Sequence, residues 1–162
     1  LYRMMDEIFA IYMLARIERY DPAVIKREMS NKKVYLYDNG FATAMHSYFA
    51  EDRGKLLENL VFRHLREKSE DIYFARNSWE CDFVAFRSGS DPQLIQVTAR
   101  LDQNNLGREV KGILAGRDYV GQAQGLLLVE SVEPGLDVPE GVRVVPLQNW
   151  LLESGRGGSG KE

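Results

Sequence analysis

The stretches ECDFV at residues 80–84 and LIQVT at residues 94–98 decide how this sequence folds. Each is short and largely apolar, with β-branched or aromatic residues, and a polar break separates them, so two neighbouring strands are predicted. Because alternate residues of a strand share a face, Glu80 and Asp82 point to one side of the first strand. An acidic pair on one face of a strand in the interior of a domain makes this segment a candidate for chemistry.

The second strand carries a matching polar face, formed by Gln96, Thr98 and Arg100. If the polar faces of the two strands align, Asp82 and Gln96 lie side by side as oxygen ligands. Magnesium prefers such ligands and keeps several of its waters, so two or three protein groups suffice. Glu58, one predicted helix earlier and on its inward side, is a third candidate.

Two interpretations of these residues stay open at this level. One is a site for one or two divalent ions that polarise a phosphodiester and activate water. The other is a solvated strand face that carries routine charges. Spacing by itself favours the second.

The elements around these strands predict an α/β fold. Hydrophobic periodicity and turn residues predict the order αβββαβ, followed by one more strand and a closing helix. The predicted helices and strands are helix 54–68, strands 71–75, 81–86 and 93–99, helix 106–119, strand 125–129, strand 142–145 and helix 147–152.

The N-terminal part is predicted to be a small, mostly helical appendage. An apolar stripe predicts a helix over residues 3–18, and a strand is predicted at 34–37, a turn at 38–40 and a short helix at 42–48. The glycine-rich tail is predicted to be disordered. The expected organisation is an N-terminal helical or linker segment at 1–50, an α/β domain at 51–153 and the tail at 154–162.

Composition narrows the function classes. The 162 residues carry a net charge of −3, which argues against a surface dominated by nucleic-acid binding but leaves room for a local basic patch. The two histidines and the lone Cys81 cannot build a zinc site between them. No apolar run approaches the roughly 20 residues that a membrane span needs. We therefore expect a cytoplasmic protein without membrane contact. We also expect Cys81 and His64 to be packing residues.

Five motifs in order resemble one known family, the C-terminal domain of unknown function that follows the ATPase module in many bacterial and archaeal AAA+ proteins. The resemblance covers most of the chain, from the first predicted helix to the strand at 125. The motifs are KVYLYDNGF at 33–41, GKLLENLVF at 54–62, ECDFV at 80–84, LIQV at 94–97 and RE at 108–109.

The resemblance implies a restriction-endonuclease-like αβββαβ core of the PD-(D/E)XK kind. It also implies an upstream P-loop ATPase module, with which ATP would be associated, and a winged-helix region of which residues 1–50 would be the remainder. Carried over by motif, Glu58, Asp82 and Gln96 occupy the acidic and polar positions of the nuclease-like centre, which would hold Mg²⁺.

The sequence departs from an active nuclease at Thr98, where the family of active enzymes has lysine. Losing one electrostatic contact to a developing negative charge typically costs about 10²–10³ in rate. Arg100 or Lys111 could lend charge, but neither restores the usual geometry. Three hypotheses follow: a non-catalytic, nuclease-like accessory domain that recognises DNA or a protein partner, an active magnesium-dependent endonuclease, and a protein-interaction or oligomerisation module.

Overall fold

The computed structural model describes residues 13–40, 53–69, 71–76 and 78–155. The strands are β1 (Leu14–Arg19), β2 (Lys32–Leu36), β3 (Asp71–Ala75), β4 (Cys81–Phe86), β5 (Gln93–Leu101), β6 (Gln124–Val132) and β7 (Val142–Pro146). The helices are α1 (Val24–Glu28), α2 (Arg53–Arg66), α3 (Leu106–Val120) and α4 (Leu147–Gly155). None of these helices is long and apolar enough to cross a membrane.

All seven strands belong to one sheet, in the order β2-β1-β3-β4-β5-β6-β7. The pairs β1–β2, β3–β4 and β4–β5 are antiparallel, whereas β1–β3, β5–β6 and β6–β7 are parallel. Helix α3 supplies the crossover that a parallel connection from β5 to β6 requires. This mixed sheet with its packed helices confirms the predicted α/β class.

Both faces of the sheet are buried, one under α2 and α4 and the other under α3. Strand β6 shows the pattern clearly. Its residues Leu126 and Leu128 join the cluster under α2, while Leu127 and Val129 join the cluster under α3. A strand covered on both faces needs a continuous apolar run, and GLLLV at 125–129 is such a run.

The elements predicted for the second half of the chain are confirmed. Helices 54–68 and 106–119 correspond to α2 and α3, and the strands predicted at 71–75 and 81–86 match β3 and β4 at both ends. Strand β5 continues two residues past its predicted end, to Leu101. The closing strand and helix also lie where they were predicted.

The N-terminal prediction is wrong where the structure describes it, because residues 14–18 form strand β1 and not the end of a helix. Ala15 and Ile17 are buried while Arg16 is exposed, which is the period-2 pattern of a strand. Residues 39–40 are helical, and the Asp38 side chain accepts a hydrogen bond from the Gly40 N–H at 2.7 Å, so the predicted turn is a helix start. The rest of the helix predicted at 3–18 and the helix at 42–48 lie outside the described residues.

The expected division at residue 50 is not a boundary of the sheet. Strand β1 pairs with β2 through residues Leu14 to Glu18, and with β3 through Glu18 and Arg19. Strands on both sides of residue 50 therefore share one sheet and one core. The tail beyond residue 155 lies outside the described residues.

Two glycines in α3 give opposite predictions for the same substitution. A Cβ atom on Gly112 would overlap the carbonyl oxygen of Glu80, whereas a Cβ on Gly107 would meet nothing. We expect Gly112→Ala to destabilise the fold by about 1–3 kcal/mol, because α3 must move away from the sheet. Gly107→Ala should leave stability unchanged or raise it by up to about 1 kcal/mol, since alanine favours helix.

Urea unfolding of both variants, followed by circular dichroism, measures this difference. Equal stability of the two variants would contradict the close approach of α3 to the segment before β4.

Candidate functional site

Strands β4 and β5 hold Asp82 and Gln96 next to each other. The ladder between the two strands runs up to the pair Phe83 and Ile95, and beyond it side chains replace backbone partners. Gln96 Oε1 accepts a hydrogen bond from the Asp82 N–H at 3.2 Å, and Asp82 Oδ2 accepts one from the Val97 N–H at 3.0 Å. The predicted side-by-side placement is confirmed, although both side chains are occupied in hydrogen bonds between β4 and β5.

Helix α2 brings Glu58 to the same point, and strand β2 adds a lysine. Lys33 Nζ donates to Glu58 Oε1 at 2.8 Å and lies 3.4 Å from Asp82 Oδ1. The Tyr35 hydroxyl, two residues along the same strand, donates to Glu58 Oε1 at 2.5 Å. One ammonium group thus bridges the two carboxylates.

Partial burial strengthens this network. The side chains of Lys33, Glu58 and Asp82 are 30%, 19% and 16% exposed, so water screens their charges incompletely. Burial and the nearby Glu58 raise the pKa of Asp82 to about 6, and the Lys33 ammonium limits the rise. Burial lowers the pKa of Lys33, but the two carboxylates raise it by more, so Lys33 is charged at neutral pH.

The second side chain from β2, Tyr35, packs as well as donates. Its ring stacks on Phe62 of α2 with centroids 4.5 Å apart. Burial, and next the charge of Glu58, raise the pKa of Tyr35 well above its ordinary value. Tyr35 therefore remains a neutral hydrogen-bond donor that fixes the orientation of the Glu58 carboxylate.

Asn59 of α2 anchors the strand that carries Lys33. Its side chain accepts a hydrogen bond from the Leu36 N–H at 2.7 Å and donates one to the Leu36 carbonyl at 2.9 Å. Asn59 is buried, so the amide matches both outward-facing backbone groups of Leu36 away from water. The position of Lys33 is thus set by backbone contacts as well as by its own ion pairs.

These residues lie at one side of a cleft of about 940 Å³ between the first turn of α2 and the first half of α3. Of the predicted site residues, the cleft is lined by Glu58, Asp82, Gln96, Thr98 and Lys111. Arg100, which was predicted to lend charge to the site, does not line the cleft. Arg100 is exposed outside this lining, and its Nε lies 3.7 Å from Asp102. Arg100 lies two residues after Thr98 on β5. Two residues advance about 6.6 Å along a strand, so Arg100 lies beyond the cleft.

The charges around the cleft are arranged in two layers. The cationic side chains of the lining are all exposed, namely Lys55, Arg76, Arg108 and Lys111. Of the acidic residues in the lining, Glu80 is exposed, whereas Glu58 and Asp82 are partly buried and Glu109 is buried beneath Arg108. The accessible surface of the cleft is therefore mainly cationic above recessed carboxylates.

As arranged, the three predicted metal ligands do not fit a resident Mg²⁺. Glu58 and Asp82 each direct an oxygen at the Lys33 ammonium, and the Gln96 oxygen accepts from the Asp82 N–H. Magnesium requires near-octahedral oxygen ligands at about 2.0–2.1 Å, and the ammonium lies where such an ion would have to bind. In the part of the chain that the structure describes, no group of three His, Cys, Asp or Glu residues is placed to hold a metal ion.

Lys33 and Tyr35 were not predicted as site residues, although both lie in the motif at 33–41. The available signal was their period-2 spacing, which puts an ammonium and a hydroxyl on one face of a strand. That signal points to Glu58 and Asp82 only once β2 is known to lie beside α2.

Cys81 and His64 pack as predicted. Cys81 is buried, its thiol donates to the carbonyls of Phe83 and Ile95, and burial raises the pKa of the thiol to about 12. Cys81 lies in the cluster under α3 whereas Phe83 lies in the cluster under α2, so these two residues of β4 do not share a face. The pairing of β3 with β4 shifts register at this point, which breaks the strict alternation.

His64 gives a prediction about pH. Its ring packs edge-on against Trp150 at 4.8 Å, and burial, followed by the charge of Lys68, lowers its pKa, while Glu67 opposes this. The unfolded state then binds the proton more readily, so acidification below about pH 6.5 reduces stability through this group. Between pH 7.5 and 5.5, we expect the melting temperature of His64→Gln to fall less than that of the unmodified chain. An identical loss in both proteins would contradict the shift.

The ion pair itself gives a prediction for a double-mutant cycle. Lys33→Met and Glu58→Gln should each lower stability by about 1–3 kcal/mol, because each leaves a partly buried group without its partner. The double variant should lose less than the sum, with a coupling energy of about 0.5–3 kcal/mol. Urea unfolding of the four proteins measures the coupling. Strict additivity would mean that Lys33 and Glu58 do not interact.

Comparison with known proteins finds one relative of unknown activity. The chain is 33% identical over 138 residues to the uncharacterized protein MJ1544 of Methanocaldococcus jannaschii. The match covers 78% of this chain and 30% of that protein, so the chain spans less than a third of the length of the relative. No family model and no solved structure matches the chain.

Proposed function

We propose that this chain is a nuclease-like, non-catalytic domain that binds nucleic acid in the cleft between α2 and α3. The observation that carries the proposal is the convergence of Glu58, Asp82 and Gln96 at this cleft, with the Lys33 ammonium between the two carboxylates.

The element order supports the nuclease-like part of the proposal. From α2 onward the chain runs αβββαβ, with three antiparallel strands followed by a parallel strand after α3. Two of these strands carry Asp82 and Gln96 next to each other, as the polar faces of the strands predict. The motif resemblance leads us to propose an AAA+ ATPase as the parent protein, with ATP bound by its upstream module, and a cytoplasmic location.

The charge of the cleft supports an anionic ligand. Arg76 and Lys111 are exposed cations of the lining, and neither has an ion-pair partner among residues 13–40, 53–69, 71–76 and 78–155. Gly54 and Lys55 of α2 also line the cleft. A phosphate backbone is the polyanion that such spaced cations suit.

Three features argue against phosphodiester cleavage. Thr98 supplies no positive charge where an active nuclease has lysine, and Gln96 is a neutral ligand. Lys33 lies between the two carboxylates that would otherwise hold a metal ion and offsets part of their charge. Metal-dependent hydrolysis needs an ion to activate water and polarise the phosphate, so the arrangement supports binding without cleavage.

The test measures binding of a short fluorescently labelled DNA duplex by anisotropy, as a function of salt concentration. We expect salt-dependent binding that is independent of sequence. The double variant Arg76→Gln/Lys111→Gln should bind more weakly, and the slope of log K against log salt should fall by about 1 for each cation lost.

The matched control is Lys26→Gln/Arg143→Gln. It removes the same charge from two exposed positions that do not line the cleft, so its affinity should stay close to that of the unmodified chain. Equal loss in both double variants would show that only net charge matters, and absence of binding at low salt would overturn the proposal in favour of a protein partner.

A plasmid assay tests the non-catalytic part separately. Supercoiled DNA incubated with the chain and Mg²⁺ or Mn²⁺ should remain uncut. Cutting that disappears in Asp82→Ala would instead identify an active endonuclease.

A further inference from the structure

The Lys33 ammonium lies at a point where three separate elements meet. Strand β2 supplies the lysine, α2 supplies Glu58 and β4 supplies Asp82. The Nζ atom lies 2.8 Å from Glu58 Oε1 and 3.4 Å from Asp82 Oδ1. The two oxygens therefore face one point from two directions, as the oxygen ligands of a bound cation do.

The lysine is held at this point by its surroundings. Its strand pairs with β1, with Lys33 opposite Ile17, and Asn59 clamps the strand three residues later at Leu36. The ring of Phe74 lies 5.5 Å from Nζ, a distance at which an aromatic face attracts a cation. The paired strand, the Asn59 contacts and the Phe74 ring therefore hold the ammonium in place without a bound ligand.

The carboxylates need a cation at this place. Glu58 and Asp82 are both less than one-fifth exposed and both direct an oxygen at the same atom. Two partly desolvated carboxylates that share a site repel each other unless a positive charge lies between them. In this chain Lys33 supplies that charge, whereas in a metal-dependent site a divalent ion supplies it.

We propose that the Lys33 ammonium is a tethered replacement for a divalent cation, and that its removal opens a site for one divalent ion between Glu58 and Asp82. This inference rests on the proposed non-catalytic function and explains how the carboxylates persist without a metal. The ion would be a hard one, Mg²⁺ or Mn²⁺, because the available ligands are carboxylate oxygens.

The experiment titrates Mn²⁺ and follows bound ion by electron paramagnetic resonance and calorimetry. The unmodified chain should bind no Mn²⁺ at this position. Lys33→Met should bind one ion per chain, and the ion should raise its melting temperature. Adding Asp82→Asn to Lys33→Met should abolish both effects.

The matched control is Lys32→Met. Lys32 is the adjacent lysine of the same strand, and it pairs with Glu18, 2.8 Å away, instead of with the two carboxylates. Lys32→Met removes the same charge but leaves the Lys33 ammonium between Glu58 and Asp82. This variant should therefore bind no more Mn²⁺ than the unmodified chain.

Two results would overturn the inference: equal Mn²⁺ binding by the unmodified chain and Lys33→Met, or no binding by a Lys33→Met variant that circular dichroism shows to be folded. If Lys33→Met does not fold alone, Mn²⁺ added during refolding should restore the fold. Lys33→Gln, which keeps a polar group, gives a second test, and failure of both variants to respond to Mn²⁺ overturns the inference.

These readouts are separate from the test of nucleic-acid binding. Loss of DNA binding in Arg76→Gln/Lys111→Gln bears on the function of the cleft and does not depend on Mn²⁺. A Mn²⁺ site that opens in Lys33→Met while the unmodified chain binds no DNA would support the tethered cation and reject the proposed function.

Discussion

One ammonium group joins the parts of this fold that are far apart in the sequence. Lys33 comes from the edge strand β2, Glu58 from α2, and Asp82 from β4. Without a positive charge at their meeting point, two partly buried carboxylates would oppose the packing of α2 against the sheet. The same contact therefore joins the edge strand β2 to α2 and β4, and it determines the charge at the base of the cleft.

The cleft exists because backbone pairing between β4 and β5 stops where the site begins. Beyond Phe83 and Ile95, the Asp82 and Gln96 side chains take over the hydrogen bonds that a continued ladder would make. A polar surface is therefore exposed between α2 and α3 while the N–H groups of Asp82 and Val97 keep hydrogen-bond partners. The site and the local irregularity of the sheet are thus one feature.

The sequence was a good guide wherever the signal is local. The apolar run at 125–129 predicts a strand buried on both faces, and the polar residues of the two neighbouring strands predict that Asp82 and Gln96 lie together. The convergence of Glu58 with them followed from motif resemblance, since spacing cannot place a helix against a strand.

The failures have a common cause, which is contact between distant segments. Residues 14–18 fit both the apolar stripe of a helix and the alternation of a strand. Pairing with β2 and β3 stabilises the strand. The role of Lys33 depends on β2 lying beside α2. Arg100 shares a face with Gln96, but the length of β5 takes it beyond the cleft.

The Asn59 clamp has a consequence for how this protein meets other copies of itself. Strand β2 is an outer strand of the sheet, and the outward backbone groups of such a strand are a template on which another chain can add a strand. At Leu36 both groups are already bound by the Asn59 amide, which imitates a neighbouring strand. The side chain that helps to position the lysine thereby also occupies, at Leu36, the backbone groups on which another strand would add.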